Sequence, residues 1–210
     1  MANNIRRPLQ YVLGAFMVSF GVVTLLRTNI GAGAWDTVNA NLSALTGITL
    51  GTASFLVQGL LVLMIMLYRK EVKYILISVS IILIAIGIDF WDILIYGDYF
   101  YQGLAVRLAV FFGGVFVLTA GLSLIILTHY PAAIFDEFMM MVMHIFHTEK
   151  IFFPRLFVEM LAIVLASGFG FLAGVGFGAV NVGSVILAVV LPFILSVQLS
   201  WMRPLFDVKV

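Results

Sequence analysis

Long apolar stretches separated by short polar interruptions make up the chain. Residues 8–26 and 108–130 contain no Asp, Glu, Lys or Arg, and each approaches or exceeds the roughly 20 residues that a membrane-spanning helix needs. Hydropathy along the chain predicts six such spans. They cover about residues 8–27, 51–68, 74–95, 107–128, 152–171 and 180–202.

Two further segments, about residues 33–47 and 132–147, have a helical pattern but are too short to cross a bilayer. A 16-residue helix reaches about 24 Å, against a hydrocarbon core of about 30 Å. Each segment follows the first span of its half of the chain. We therefore predict two short helices that lie in the interface or dip into a cavity, because non-helical backbone at membrane depth must be covered by protein or reached by water.

The composition assigns this pattern to a multi-pass membrane protein. Hydrophobic residues make up 63% of the chain and charged residues 10%, and the mean hydropathy is +1.19, whereas soluble proteins contain about 25% charged residues. A net charge of +1 provides no basic field for nucleic acid. The chain has no cysteine and no phosphate-loop, Ser-His-Asp or H-E-x-x-H pattern. We predict neither enzyme activity nor a cofactor.

The distribution of lysine and arginine predicts the orientation, because cytoplasmic loops carry the excess. With six spans, two non-crossing segments and a cytoplasmic N-terminus, nine basic residues are cytoplasmic, and Arg27 and Arg107 lie outside. If both short segments crossed, the division would be seven against four. The non-crossing arrangement, with both termini in the cytoplasm of a bacterial inner membrane, fits better. The nine residues are Arg6, Arg7, Arg69, Lys70, Lys73, Lys150, Arg155, Arg203 and Lys209.

The two halves of the chain, residues 1–100 and 101–210, match when the sequence is shifted by 100 positions. The matched pairs are Gly14 with Gly114, Phe16 with Phe116, Gly21 with Gly121, Thr28 with Thr128, Ala32 with Ala132, Trp35 with Phe135 and Asp36 with Asp136. A duplicated unit with an odd number of spans must be inverted in its second copy. The predicted fold class is an all-α membrane protein of six transmembrane helices in two inverted three-helix repeats, each with a short non-spanning helix after its first span.

The run GAGAWDTVNANLSALTGITLGTASFLVQGLLVL, residues 31–63, resembles the small-residue, Trp-Asp, Thr-Gly and Gly-Thr pattern of the bacterial YczE/YitT-like membrane proteins. The second half, with Arg155, Glu159 and glycines from Gly168 to Gly183, is similar to the C-terminal half of that family, although PAAIFDEF departs from the expected Gly-Pro-rich sequence. The resemblance implies an integral membrane protein of largely unassigned activity, sometimes treated as a transporter. It implies no particular substrate.

Glu159 is the main candidate for chemistry, because it lies about eight residues, or about 12 Å, into the fifth span. A carboxylate near the bilayer centre costs a few kcal/mol and is functional by default. A neutral carboxyl would suit proton coupling, whereas Arg155 one turn earlier could keep it ionised. The alternative is an Arg155–Glu159 pair that braces the helix end. With one inserted residue, Gln58 occupies the matching position in the first half.

Asp36 and Asp136 each open a short helix, where an aspartate caps free N–H groups and complements the helix dipole. The functional alternative is a pair of opposed gates. In that arrangement Asp36 and Arg27 line an outer vestibule, and Asn39 and Asn41 offer hydrogen bonds to a solute.

The remaining polar residues favour structural roles. Asp89 and Asp92 lie near the outer end of the third span, as a solvated helix end or as partners of Arg27 or Arg107. The glycines around Asn181 favour close helix packing, with contact to a ligand as the alternative. Methionines 139–141 and 143, with two histidines nearby, point in too many directions to close a metal site. No metal ligand is predicted.

These observations favour a transporter that moves a small solute by alternating access about a midplane site, with Glu159 as the candidate for proton coupling. Two alternatives stay open. One is a substrate-binding membrane subunit of a multi-component importer, and the other is a non-transporting accessory or scaffold protein. The predicted partners are the lipid bilayer and an unidentified small solute. Association with a second copy or with a partner protein is left open.

Overall fold

The computed structural model describes residues 2–128, 130, 134–148 and 151–206, and side chains within 6–71, 74–128, 130, 134–148 and 151–204. All regular secondary structure in the described residues is helical. The helices are α1 Ala2–Thr28, α2 Ala34–Thr46, α3 Leu50–Arg69, α4 Ile77–Asp89, α5 Leu104–Leu127, α6 Ile134–Ile145, α7 Phe152–Leu172 and α8 Val182–Phe206. A 3₁₀ turn, Val72–Leu76, precedes α4, and a π-helical segment, Phe90–Tyr96, continues it.

Six of the eight helices are long and apolar enough to cross a bilayer, so the prediction of a helical multi-span membrane protein is confirmed. The short helices α2 and α6 contain 13 and 12 residues and occupy the two predicted short segments. The sequence pattern did not predict the π-helical segment. Of the residues used above, Pro131, Ala132, Lys150 and Lys209 lie outside the described residues, and so does the side chain of Lys73.

The first helices of the two halves, α1 and α5, pack against each other more extensively than any other pair. The start of α1 meets the end of α5, so the two helices are antiparallel. Glycines permit this close approach, because a Cβ at Gly21 would lie 2.5 Å from the Cβ of Leu118. Each contact has a counterpart 100 residues away. The pairs are Gly14 against Ile125 with Gly114 against Leu25, and Gly21 against Leu118 with Gly121 against Val18.

Two apolar clusters divide the interior. The first joins α1 and α5 to residues from α4 and α8, with Val23, Leu25 and Phe111 fully buried. The second joins α2, α3, α6 and α7 and includes Trp35 and Phe138. The short helices therefore belong to the second cluster, beside α7, whereas the crossing of α1 and α5 forms a separate apolar core.

The segment that follows the C-terminal end of α1 is bonded to the start of α8. The backbone N–H of Gly183 donates to the carbonyl of Ile30 (3.0 Å), and the N–H of Ala32 donates to the hydroxyl of Ser184 (3.3 Å). These bonds hold the five-residue connection between α1 and α2, because its backbone has no helical partners of its own. The N-terminal end of α2 is thereby placed inside the helix bundle.

Candidate functional site

Helix α2 runs parallel to α7, the helix with which it makes its most extensive contact. Near the end of α2, the amide nitrogen of Asn41 donates to the carbonyl of Ala166 (2.8 Å). Near its start, Asp36 interacts electrostatically with Glu159. Because both contacts join residues about 125 positions apart, the two helices ascend together. Glu159 lies eight residues into α7, or about 12 Å along it, so α2 begins at that depth rather than on the surface.

Asp36 and Glu159 bring two carboxyl groups into one partly buried region. Burial, and to a lesser extent the nearby carboxyl of Glu159, raise the pKa of Asp36 from its ordinary value of 3.8 to about 7, against the opposing effect of a hydrogen bond from the backbone N–H of Gly33. Arg155, one turn earlier on α7, interacts electrostatically with Glu159. All these side chains are described, and Arg155 forms no direct ion pair with Glu159. A carboxyl that titrates near neutrality is the usual requirement for proton exchange.

Two polar atoms beside these carboxyl groups have no hydrogen-bond partner among the described residues: Nε1 of Trp35 and Oδ1 of Asn39. Trp35 is 6% exposed and Asn39 is 2% exposed. Asn39 follows Trp35 by four residues and Asp36 by three, which places all three on one face of α2. Unpaired buried polar groups are rare and cost about 1–3 kcal/mol each. This face of α2 therefore offers an unused donor and an unused acceptor.

Three aromatic rings, from Trp35, Phe135 and Phe138, pack together beside Asp36. The indole of Trp35 stacks on the ring of Phe135, with centroids 5.3 Å apart, and meets Phe138 edge-on at 5.9 Å. Phe135 and Phe138 lie in the first half of α6, so the starts of the two short helices meet at this stack. We refer to Trp35, Asp36, Asn39, Arg155 and Glu159 as the polar cluster.

Asn41 is fully hydrogen-bonded within the protein, unlike Asn39 on the same helix. Its amide nitrogen donates to the carbonyls of Ala166 (2.8 Å) and Phe177 (3.0 Å), and its oxygen accepts from the N–H of Ala179 (2.9 Å). A Cβ at Gly178, whose φ is +57°, would collide with the Asn41 amide. The Asn41 amide thus joins α2 to α7 and the following loop, whereas the alternative role raised by the sequence, a hydrogen bond to a solute, would compete with these bonds.

The outer candidates form a separate group. Arg27 pairs with Asp92 at 2.7 Å and lies 4.8 Å from the ring centroid of Phe100. Arg107 donates to the carbonyl of Thr28 (2.6 Å), and Asn181 donates to Asn29 (3.4 Å). Of the alternatives that the sequence left open for Asp89 and Asp92, the contact of Asp92 with Arg27 is present.

The other predicted residues also lie apart from one another. Gln58 is buried and donates to the hydroxyl of Ser54 (2.7 Å), whereas Asp136 is exposed at the start of α6. At the end of α6, His144 bonds to the hydroxyl of Tyr68 (2.5 Å). No group of three or more His, Asp or Glu side chains suited to a metal ion occurs in the described part of the chain.

Sequence reasoning used Trp35 as a position matched with Phe135 and did not identify it as a site residue. A tryptophan next to an aspartate in a run of small residues was the available signal. The structure thus assembles Glu159, Arg155, Asp36 and Asn39 with Trp35, and places Gln58, Asp136, Arg27 and Asn181 elsewhere.

Six helices are long enough to span a membrane, and the polar cluster between them contains buried atoms without hydrogen-bond partners. These features define a multi-span membrane protein with an internal polar site. The chain belongs to the family described as "Family of unknown function (DUF6198)", which it matches over residues 5–198. It is similar to "Uncharacterized protein YyaS" of Bacillus subtilis (strain 168), with 22% identity over 187 residues that cover 89% of this chain and 92% of that protein. No solved structure matches the chain. The bacterial relative supports a bacterial origin.

Proposed function

We propose that the protein is a small-solute transporter of the bacterial inner membrane that works by alternating access around the polar cluster. The observation that carries this proposal is the pair of unpartnered buried atoms, Nε1 of Trp35 and Oδ1 of Asn39, beside the carboxyl groups of Asp36 and Glu159. Each such atom costs free energy unless a ligand or water satisfies it, and of the five in the described residues, on Trp35, Asn39, Arg69, Ser123 and Gln198, these two lie on the helix that carries Asp36. A solute that binds there would satisfy them.

Alternating access also needs two halves that can rock against each other, and we propose that these halves are inverted repeats. The matched contacts across the α1–α5 crossing support this. Equivalent threonines at the ends of α1 and α5 also make equivalent hydrogen bonds. Thr28 bonds to the carbonyl of Leu25 and Thr128 to that of Ile125, both at 2.6 Å.

The third span of each half makes a corresponding contact. The indole of Trp91, which follows α4, donates to the carbonyl of Phe16 (3.2 Å), and the amide of Gln198 in α8 donates to the carbonyl of Phe116 (3.1 Å). Phe16 and Phe116 are equivalent positions. The stack of Trp35 on Phe135 joins two further equivalent positions, as expected close to a two-fold axis between the halves.

The packing of the halves is unequal. Helix α3 packs against α4, whereas the described part of α8 packs mainly on α5 rather than on α7. Likewise α2 lies along α7 more extensively than α6 lies along α3. In a transporter built from inverted repeats, two halves that are packed differently correspond to one of two end states. If the two halves exchanged their packing arrangements, the site would open to the other face of the membrane.

The test uses single cysteines, which react without background because the natural chain has none. The variant Asn39→Cys is reconstituted in liposomes and treated with a membrane-impermeant methanethiosulfonate reagent from either side. We expect labelling from both faces, because the cluster opens alternately. Tyr99→Cys and Lys70→Cys are the controls, with labelling expected only from outside and only from inside, respectively.

Labelling of residue 39 from one face only, or from neither, would contradict alternating access. The inverted arrangement has its own test: Thr46→Cys and His147→Cys, at the far ends of α2 and α6, should react from opposite faces. Reaction of both from the same face would refute the inverted arrangement.

A further inference from the structure

The polar cluster contains more carboxyl groups than basic groups. Apart from Asp36, the described ionisable side chains on α2 and on the helices around it are Arg155 and Glu159 on α7, Asp136, Glu137 and His144 on α6, and Tyr68 and Arg69 in the last turn of α3, where the Nε of Arg69 is buried without a partner. Among them, Arg155 is the cation that interacts electrostatically with the carboxyl pair of Asp36 and Glu159. An empty cluster is close to electrically neutral only when one carboxyl carries a proton. When both are ionised, the cluster has room for one positive charge.

A helix start by itself favours anions, because free N–H groups and the helix dipole point outward. Here the first turn of α2 contains Asp36, and the first turn of α6 contains Asp136 and Glu137. These carboxyl groups oppose the dipoles and remove the preference for an anion. An acidic solute that entered the cluster would meet Glu159 as well.

The uncharged groups of the cluster suit a cation with an organic surface. The face of a tryptophan ring attracts ammonium groups more strongly than other aromatic rings do, and Trp35 lies directly beside Asp36. The unpaired oxygen of Asn39 is an acceptor and fits an N–H or O–H donor of the solute. Aromatic rings are the usual chemistry for recognising ammonium groups, and here they adjoin carboxyl groups of opposite charge.

We propose that the cluster binds a small organic monocation, an ammonium compound, between the carboxyl groups of Asp36 and Glu159, in exchange for one carboxyl proton. The inference rests on the proposed transport function and names its substrate class. When the cation enters, one carboxyl O–H bond breaks, and the proton leaves to water on the face to which the site is open. On the other face a proton returns to the carboxyl, and the cation leaves. No electron transfer and no covalent bond to the solute are involved.

The inference is tested with three probes of one shape and different charge: choline, its neutral analogue 3,3-dimethylbutan-1-ol, and the anion 3,3-dimethylbutanoate. Binding is followed by the fluorescence of Trp35 in the variant Trp91→Phe/Trp201→Phe, in which Trp35 is the remaining tryptophan. We expect choline to bind at least about tenfold more tightly than the neutral analogue, which corresponds to a single favourable charge interaction. We expect no binding of the anion.

The competition with a proton provides a second readout. Choline affinity should fall as the pH is lowered through neutrality, by up to about tenfold per pH unit for one exchanged proton. Asp36→Asn should weaken choline binding at least about tenfold and flatten this pH dependence. Glu159→Gln, on a different helix, should do the same. Asp98→Asn, an exposed aspartate outside the cluster, is the matched control and should leave both properties unchanged.

The outcomes separate this inference from the transport proposal. Failure of choline to bind, or tighter binding of 3,3-dimethylbutanoate, would overturn the cation inference even if residue 39 is labelled from both faces. Choline binding with labelling from one face only would keep the cation site and overturn transport. Choline binding that survives both Asp36→Asn and Glu159→Gln would also overturn the inference, because the carboxyl groups would then have no role in binding.

Discussion

The crossing of α1 and α5 and the seam between α2 and α7 are both buried, but they are built in opposite ways. At the crossing, glycines bring two helices into close contact, and Ser19 and Thr119 bond their hydroxyls to carbonyls of their own helices. At the seam, Nε1 of Trp35 and Oδ1 of Asn39 are unpaired beside Asp36, whereas the one such atom on α1 or α5 among the described residues is the hydroxyl of Ser123. The crossing is suited to hold the two halves together, whereas the seam is suited to bind and to change.

The largest expected effect comes from disturbing the crossing. A Cβ at Gly121 would lie 2.7 Å from the carbonyl oxygen of Gly14, whereas a Cβ at Gly113 on the same helix meets nothing within 4 Å. We expect Gly121→Val to lower the free energy of unfolding by about 1–3 kcal/mol or more through overpacking, and Gly113→Val to have little effect. Thermal unfolding in detergent measures both. Equal loss in the two variants would show that close approach at the crossing is unimportant.

Asn39 and Asn41 sharpen the comparison within the seam, because both are 2% exposed on the same helix. Asn41→Leu leaves the N–H of Ala179 without its acceptor and removes a second donor from the carbonyls of Ala166, inside α7, and of Phe177, which keeps the N–H of Val180. We expect a loss of about 1–3 kcal/mol for each group that stays unpaired.

Asn39→Leu removes an atom that has no partner, so the free energy of unfolding should be unchanged or increased, while binding at the polar cluster is lost. Unfolding in detergent and the Trp35 fluorescence titration separate these effects. A larger loss of stability for Asn39→Leu than for Asn41→Leu would reverse the assigned roles.

The pKa of Asp36 predicts a smaller effect, on the pH dependence of stability. The carboxyl titrates near 3.8 when unfolded and at about 7 when folded, so the folded protein holds an additional proton between these values. Stability should therefore decrease as the pH rises from about 4 to about 7 and then level off. Asp36→Asn should remove this component, and Asp98→Asn should retain it. Thermal unfolding across this pH range provides the measurement, and identical profiles for wild type and Asp36→Asn would contradict it.

The smallest effect is expected at the outer ion pair. Arg27 and Asp92 are partly exposed, and such pairs contribute about 0.2–1 kcal/mol. A double-mutant cycle with Arg27→Ala and Asp92→Ala should give a coupling energy in this range, reduced at high salt. A coupling of several kcal/mol would show that the outer end is a stronger structural element than the seam.

Some of this site could be predicted from the sequence. Glu159 was identifiable from its depth in an apolar helix, and Asp36 from its place at the start of a short helix. The difference between Asn39 and Asn41 was not predictable, since both occur in the same polar run. The partners of Asn41 lie more than 120 residues later in the chain, on α7 and the loop after it.

The sequence by itself determined the six spans and the two short helices, because a bilayer requires local solutions: about 20 apolar residues per crossing and backbone hydrogen bonds satisfied within each helix. Only the tertiary structure decided which buried polar atoms are paired and that α2 begins beside Glu159. Those outcomes depend on side chains and carbonyls that distant helices contribute, and no local pattern encodes their distances.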